Sequence, residues 1–174
     1  MNRLQPLTPA LSRTTKETTM PRFSEMLDRK AEDIKAPPLP PVGEYLLMGK
    51  KHPEVGEIKG RDGTIYDRVT FELAIVEPLE VDPDAIAEFG KVQGMTVRKQ
   101  FLFNTSPDEE IGRERTLNSI KLFLGSCGVD VESGTLQSML ADFPNTQCRA
   151  ELIHRPDPND AERFYLEVGR TYEA

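Results

Sequence analysis

The chain is poor in the residues that metal and redox chemistry draw on. Its 174 residues include two cysteines, Cys127 and Cys148, and two histidines, His52 and His154. Two cysteines make no disulfide framework, and their spacing does not decide whether they bridge. Both are expected reduced in a core, which suits a cytoplasmic protein. The histidines lie far apart and the cysteines nowhere near ligand spacing, which argues against a Cys/His zinc site. No apolar run approaches a membrane span, the longest being strand-sized pieces such as "LAIV" at 73–76. Also missing are a glycine-rich phosphate loop, a G-x-S-x-G elbow and a histidine companion for either cysteine. The acidic pairs Asp82/Asp84 and Asp157/Asp160 sit in proline-rich turns and helix starts, where capping accounts for them. Nothing amounts to a catalytic constellation, and neither a cofactor nor a metal is expected.

Charge is abundant but unevenly placed. Residues 1–35 hold seven Lys/Arg and five Asp/Glu, which leaves 15 basic and 24 acidic residues, a net of −9, for the remainder. A body this acidic is no general polyanion binder, so any such binding needs a local patch. The length fits one domain with appendages. Residues 1–19, with no acid before Glu17, faintly resemble a transit peptide but lack the apolar stretch of a secretory signal. Met20 opens "MPRFSEMLDRKAEDIK", which reads as a natural beginning, so 1–19 is expected to be a disordered extension. Residues 20–41 supply an amphipathic helix and a proline-rich lead, and 42–174 the domain.

The helix is expected over 21–35, with Phe23, Met26, Leu27 and Ile34 in one stripe. "APPLPP" (36–41) ends it in an extended segment. A strand follows at 42–51, then a long hairpin connection at 52–64 with "GRDG" as its tip. Residues 65–79 alternate, with Val69, Phe71, Leu73 and Ile75 on one side, and predict a long half-buried antiparallel strand. A helix at 81–90 is capped by Asp82, opened by Pro83 and closed by Gly90. A third strand runs over 91–105. Ser106 and Glu109 have capping-box spacing before a helix whose Leu117, Ile120 and Leu124 share a face. A short helix at 136–143 precedes a closing hairpin, in which Cys148, Ala150 and Leu152 share a core with Phe164, Leu166 and Val168. The order is that of a mainly β, α+β protein: an OB-fold-like five-stranded antiparallel barrel, with a helical insertion between strands 3 and 4 and an N-terminal helix.

What remains is a binding surface. Bases stack on aromatic side chains while cations follow the phosphates. The residues that fit this pattern are Lys50 and Lys51, Tyr66 and Arg68, Arg98, Lys99, Phe101 and Phe103, and Arg149, Arg163 and Tyr165. Phe101 and Phe103 are more often core residues than stacking platforms. With them inside, Arg98, Gln100 and Asn104 form the working face of "VRKQFLFNT" (97–105). Cation pairs on strands commonly serve as solvated edges.

The phrases "KAEDI…PPLPPVGEY", "VTFELAIVEP", "RKQFLFNT", "RTLNSIKLFLGSCGV" and "FYLEVGRTYE" together resemble bacteriophage single-stranded DNA-binding proteins of replication and recombination clusters. The likeness spans about residues 22–174. It implies a non-enzymatic protein that coats single-stranded DNA in the cytoplasm of an infected bacterial cell. Phage or host replication and recombination proteins are the implied protein partners, with no membrane involved. The chain departs from many such proteins in ending at "VGRTYEA", without an acidic tail. The alternative is a phage structural or assembly protein that uses the barrel for protein contacts.

Overall fold

The computed structural model describes Lys30 and residues 37–174. The expected extension at 1–19 and all but Lys30 of the expected helix at 21–35 lie outside the described residues. The chain divides into two units at Pro37/Pro38, and residues 38–174 carry every strand and helix described. In chain order these are β1 (Gly43–Gly49), β2 (Glu54–Lys59), β3 (Ile65–Val81), α1 (Pro83–Phe89) and β4 (Thr96–Asn104). A 3-10 turn (Pro107–Glu109), α2 (Glu110–Ser126), α3 (Leu136–Asp142), β5 (Gln147–Asp157) and β6 (Asp160–Glu173) complete the chain. Among the described residues no helix is long and apolar enough to cross a membrane.

β3 organises the sheet because it is long enough to pair with three strands. Its first half pairs with β2 and its second half with β1, while β4 runs antiparallel to residues 66–74. The overlap of these registers puts β1 and β2 on one edge of β3 and β4 on the other. β1 also pairs antiparallel with β5, and β5 with β6. Successive antiparallel pairings leave β4 and β6, the two ends of the sheet, running in the same direction. No ladder joins them. The expected five-stranded barrel is therefore corrected to an open six-stranded sheet.

The sixth strand comes from the stretch expected as a hairpin connection. Glu54–Lys59 is polar and interrupted by Gly56, so its sequence has no apolar alternation. It is extended because β3 offers it a ladder from Glu54↔Thr70 to Lys59↔Ile65. Tertiary pairing overrides local propensity there. The capping box expected at Ser106 also gives way. Ser106 makes no side-chain cap bond, and its amide instead donates to Asn104 Oδ1 (2.9 Å) as the chain enters the 3-10 turn. Around α1 the expected punctuation is present: Asp82 accepts from the Asp84 amide (3.0 Å) and Pro83 opens the helix.

One face of the sheet and α2 enclose the core. Tyr45, Leu47, Phe71, Leu73, Ile75, Ala150, Leu152, Ile120, Leu124 and Phe143 are essentially inaccessible. Phe71 is the hub, with ring centroids 5.8, 4.9 and 5.0 Å from Phe101, Phe123 and Phe143, all edge-on. Such pairs contribute about 0.5–1.5 kcal/mol each beyond area burial. The proline lead is tied down at two points. Tyr45 OH donates to Pro41 O (2.7 Å), and His154 Nε2 is hydrogen-bonded to Pro40 O (2.8 Å). Phe164, expected in the core with Leu166 and Val168, is 51% exposed. It lies opposite Pro156, where the β5–β6 hairpin runs past the body of the sheet. The tips of the two long hairpins still touch, through Arg61 donating to Asn159.

Gly49 shows how tightly this core is closed. A Cβ there would stand 2.6 Å from Phe143 O and 3.0 Å from the Phe143 ring. The Gly49 amide donates to Thr146 O and its carbonyl accepts from Asn145 N (2.9 Å each), so the loop cannot simply move away. Gly49→Ala is therefore expected to destabilise the domain by about 1–3 kcal/mol through overpacking. The check is a lowered urea midpoint at unchanged m-value. An unchanged midpoint would mean that the Phe143 loop yields freely.

Candidate binding cleft

The two-residue period of the strands sorts their side chains between core and surface. On β4, Val97, Lys99, Phe101 and Phe103 point inward, while Arg98, Gln100 and Leu102 are exposed. On β6, Val168 is buried and Leu166 half-buried against the core, and Tyr165 is 47% exposed. Where the two unpaired edges face each other a cleft of about 350 Å³ opens, lined by Arg98, Lys99, Gln100, Tyr165, Leu166, Glu167 and Val168. It brings Arg98, Lys99 and Tyr165 of the sequence-derived candidates together.

Lys99 does not present its charge to this cleft. Its ammonium reaches across the seam and donates to Val168 O (2.7 Å) and Gly169 O (3.1 Å). It also lies 5.8 Å from the ring centroids of Phe101 and Phe123. Two consecutive carbonyls face the same ammonium because the β5–β6 register shifts between Ala150↔Thr171 and Leu152↔Val168, a bulge that turns the strand. Burial pushes the Lys99 pKa below that of an ordinary lysine, with the Glu167 charge opposing part of the effect.

The remaining cations are mostly engaged by carboxylates. Arg98 donates to Glu72 Oε1 through Nε (3.0 Å) and Nη2 (2.9 Å), and Lys51 pairs with Glu54 and with Glu72 (3.2 Å). Arg149 Nε binds Glu44 on β1 (2.7 Å), and Lys50 Nζ donates to Thr96 Oγ1 (2.8 Å). Arg163 stands beside the β5–β6 tip, within charge range of Asp157. Tyr66 and Arg68 are half-buried on β3, paired with Asn104 and Leu102. Phe103 packs against the core, and Phe101 lines a neighbouring hollow with Ser119, Leu122, Phe123 and Thr171. The candidates are thus spread over several places, and none forms a continuous basic track. Sequence reasoning overlooked Glu72, Glu167 and Leu122. Only the Glu72↔Arg98 cross-strand register, unreadable without the pairing, signals the first. Among the described residues no three His, Cys, Asp or Glu are gathered as a metal site.

No protein-family model matches the chain, and no curated protein matches it. The resemblance to phage single-stranded DNA-binding proteins is therefore withdrawn. With it go the OB-fold, the bacteriophage source, and the replication and recombination roles. The single-stranded DNA-binding function and the phage-assembly alternative both rested on a closed barrel, whereas the sheet is open. The physical reason is visible in the side chains: Arg98 and Lys51 serve Glu72, Arg149 serves Glu44, and Lys99 is turned inward.

The Glu72 cluster makes a pH prediction. Hydrogen bonds from Arg98, then from Lys51, hold the Glu72 carboxyl below the usual carboxylate range. A carboxylate with a depressed folded-state pKa stabilises the fold above its unfolded pKa, and that contribution is lost as pH falls through the folded value. Glu72→Gln should therefore flatten the acid limb of a stability-versus-pH curve below about pH 5. Thermal melts from pH 7 to pH 3 provide the check. Parallel curves for the two proteins would remove Glu72 from the acid response.

Proposed function

We propose that residues 38–174 act in the cytoplasm as a non-catalytic binding domain, whose open seam takes an extended polypeptide segment. The observation that carries this reading is the cleft between β4 and β6. Strand edges offer main-chain donors and acceptors, and recognition by strand addition uses those groups for affinity and flanking pockets for specificity. β4 and β6 come too close at the Lys99 link for a strand to lie between them, so an added strand pairs with one free edge and runs antiparallel to it. Antiparallel pairing has the better hydrogen-bond geometry. Charged side chains of the cleft are already paired, Arg98 with Glu72 and Glu167 with Arg155. The occupant these walls favour is therefore uncharged and amphipathic, with an apolar side chain against the exposed ring of Tyr165 and a polar one against Gln100.

The test is an amide chemical-shift titration of the labelled protein with uncharged, unstructured decapeptides rich in Val and Thr, alongside proline-substituted controls. Saturable shifts of residues 98–100 and 165–168, absent with the proline controls, are expected. Tyr165→Ala should weaken the interaction about tenfold, roughly 1.4 kcal/mol. Shifts confined to other surfaces, or none up to millimolar peptide, would overturn the reading.

A further inference from the structure

β2 ends the sheet, pairing with β3 and with no other described strand. Two hydrogen bonds fix the direction of its main-chain groups. The Gly60 amide donates to Thr64 O (2.7 Å), so Gly60 and Thr64 close the β2–β3 hairpin. Ile65 O instead accepts from Thr105 N (3.4 Å), on the side of β3 away from β2. These directions alternate along an antiparallel ladder. Gly56 and Ile58 therefore bond to β3, while Val55, Glu57 and Lys59 turn their amides and carbonyls outward. The side chains of the same three residues are exposed. Glu57 lies directly opposite Asp67 on β3, an unfavourable like-charge pair. Neither Glu57 nor Lys59 makes a side-chain hydrogen bond or ion pair among the described residues.

Charges on an edge strand ordinarily discourage further pairing. Those of β2 discourage most partners but match their own copy. We infer that β2 is a dimerisation strand, adding antiparallel to β2 of a second copy of this chain across a twofold axis beside Ile58. In a sheet continuous across such an axis, opposed side chains share a face, so one residue must lie opposite itself. Centred on Glu57, the strands would set two carboxylates together; centred on Gly56, Glu57 would face Val55. Centred on Ile58, Glu57 of each copy faces Lys59 of the other, and these are the residues whose main-chain groups are free to exchange hydrogen bonds. The two Ile58 side chains then meet in a non-hydrogen-bonded pair, the closer of the two kinds. Gly56 faces Gly60, where no side chain obstructs the approach. The incoming ammonium also offsets the repulsion between Glu57 and Asp67. The contact of Arg61 with Asn159 lies beyond this ladder. The inference is independent of the peptide-binding reading, since β2 and β4 lie on opposite edges of β3.

The experiment is sedimentation velocity of the full chain from micromolar to several hundred micromolar. The ladder is short beside a standard interface, so a dimer with a Kd on the order of 10–100 μM is expected. Glu57→Lys and Lys59→Glu each set like charges opposite one another, and each should weaken dimerisation about tenfold or more. An equimolar mixture of these two variants should associate again, because each supplies the charge that the other needs. Ile58→Cys should form a disulfide between copies under mild oxidation, since the residues of a non-hydrogen-bonded pair lie within bridging distance. A wild-type protein that stays monomeric throughout would overturn the proposal. So would a dimer that both charge reversals leave unchanged. If a charge variant fails to fold, the wild-type sedimentation and the Ile58→Cys cross-link decide the matter.

Discussion

One ammonium stands where a strand ladder would otherwise be needed. Lys99 is an inward-facing cation in a row with Val97, Phe101 and Phe103, a position where an unpaired charge would be prohibitive. It is tolerated because two β6 carbonyls and two aromatic faces receive it. That single cross-seam link holds the ends of an otherwise open sheet within reach of each other. It leaves the flanking edges unpaired, and the cleft and the placement of Tyr165 follow from it.

The bulge on β6 is the partner of this arrangement. With one extra residue between Val168 and Thr171 relative to β5, consecutive carbonyls turn toward the seam instead of alternating away from it. Gly169 sits at that point, where a Cβ would stand 3.4 Å from Glu151 O across the strand pair. A regular β6 would offer Lys99 one acceptor. The lysine and the irregular strand are thus two halves of one device, and neither is explained by its own local sequence.

How much was legible follows from the same distinction. Strands with apolar alternation, such as β3, and helices with proper punctuation, such as α1, were readable because the cause lies within the segment. β2 was not, since its extended state comes from a ladder supplied by β3. The openness of the sheet was equally hidden: whether two end strands pair depends on curvature and register summed over four pairings. At the cleft, alternation correctly turned Phe101 and Phe103 inward and Arg98 outward. The same alternation also put Lys99 on the inner face, yet its charge drew it into the list of surface cations. The carboxylates that occupy Arg98 and Arg149 lie 26 and 105 residues away along the chain, beyond any local pattern.

The central position of β1 also shapes the route by which the chain folds. The β5–β6 hairpin turns within two residues and the β2–β3 hairpin within five, so each closes at little entropic cost. β1 must instead join β3 to β5, bringing Glu44 beside Arg149 from 105 residues away. That step brings the β2–β3–β4 and β5–β6 segments into one sheet and closes a long loop of the domain. Non-local pairing of this kind is slow relative to helix or hairpin formation. In any state in which β1 is not seated, the edges of β3 and β5 that it covers are exposed, unlike those of the finished sheet.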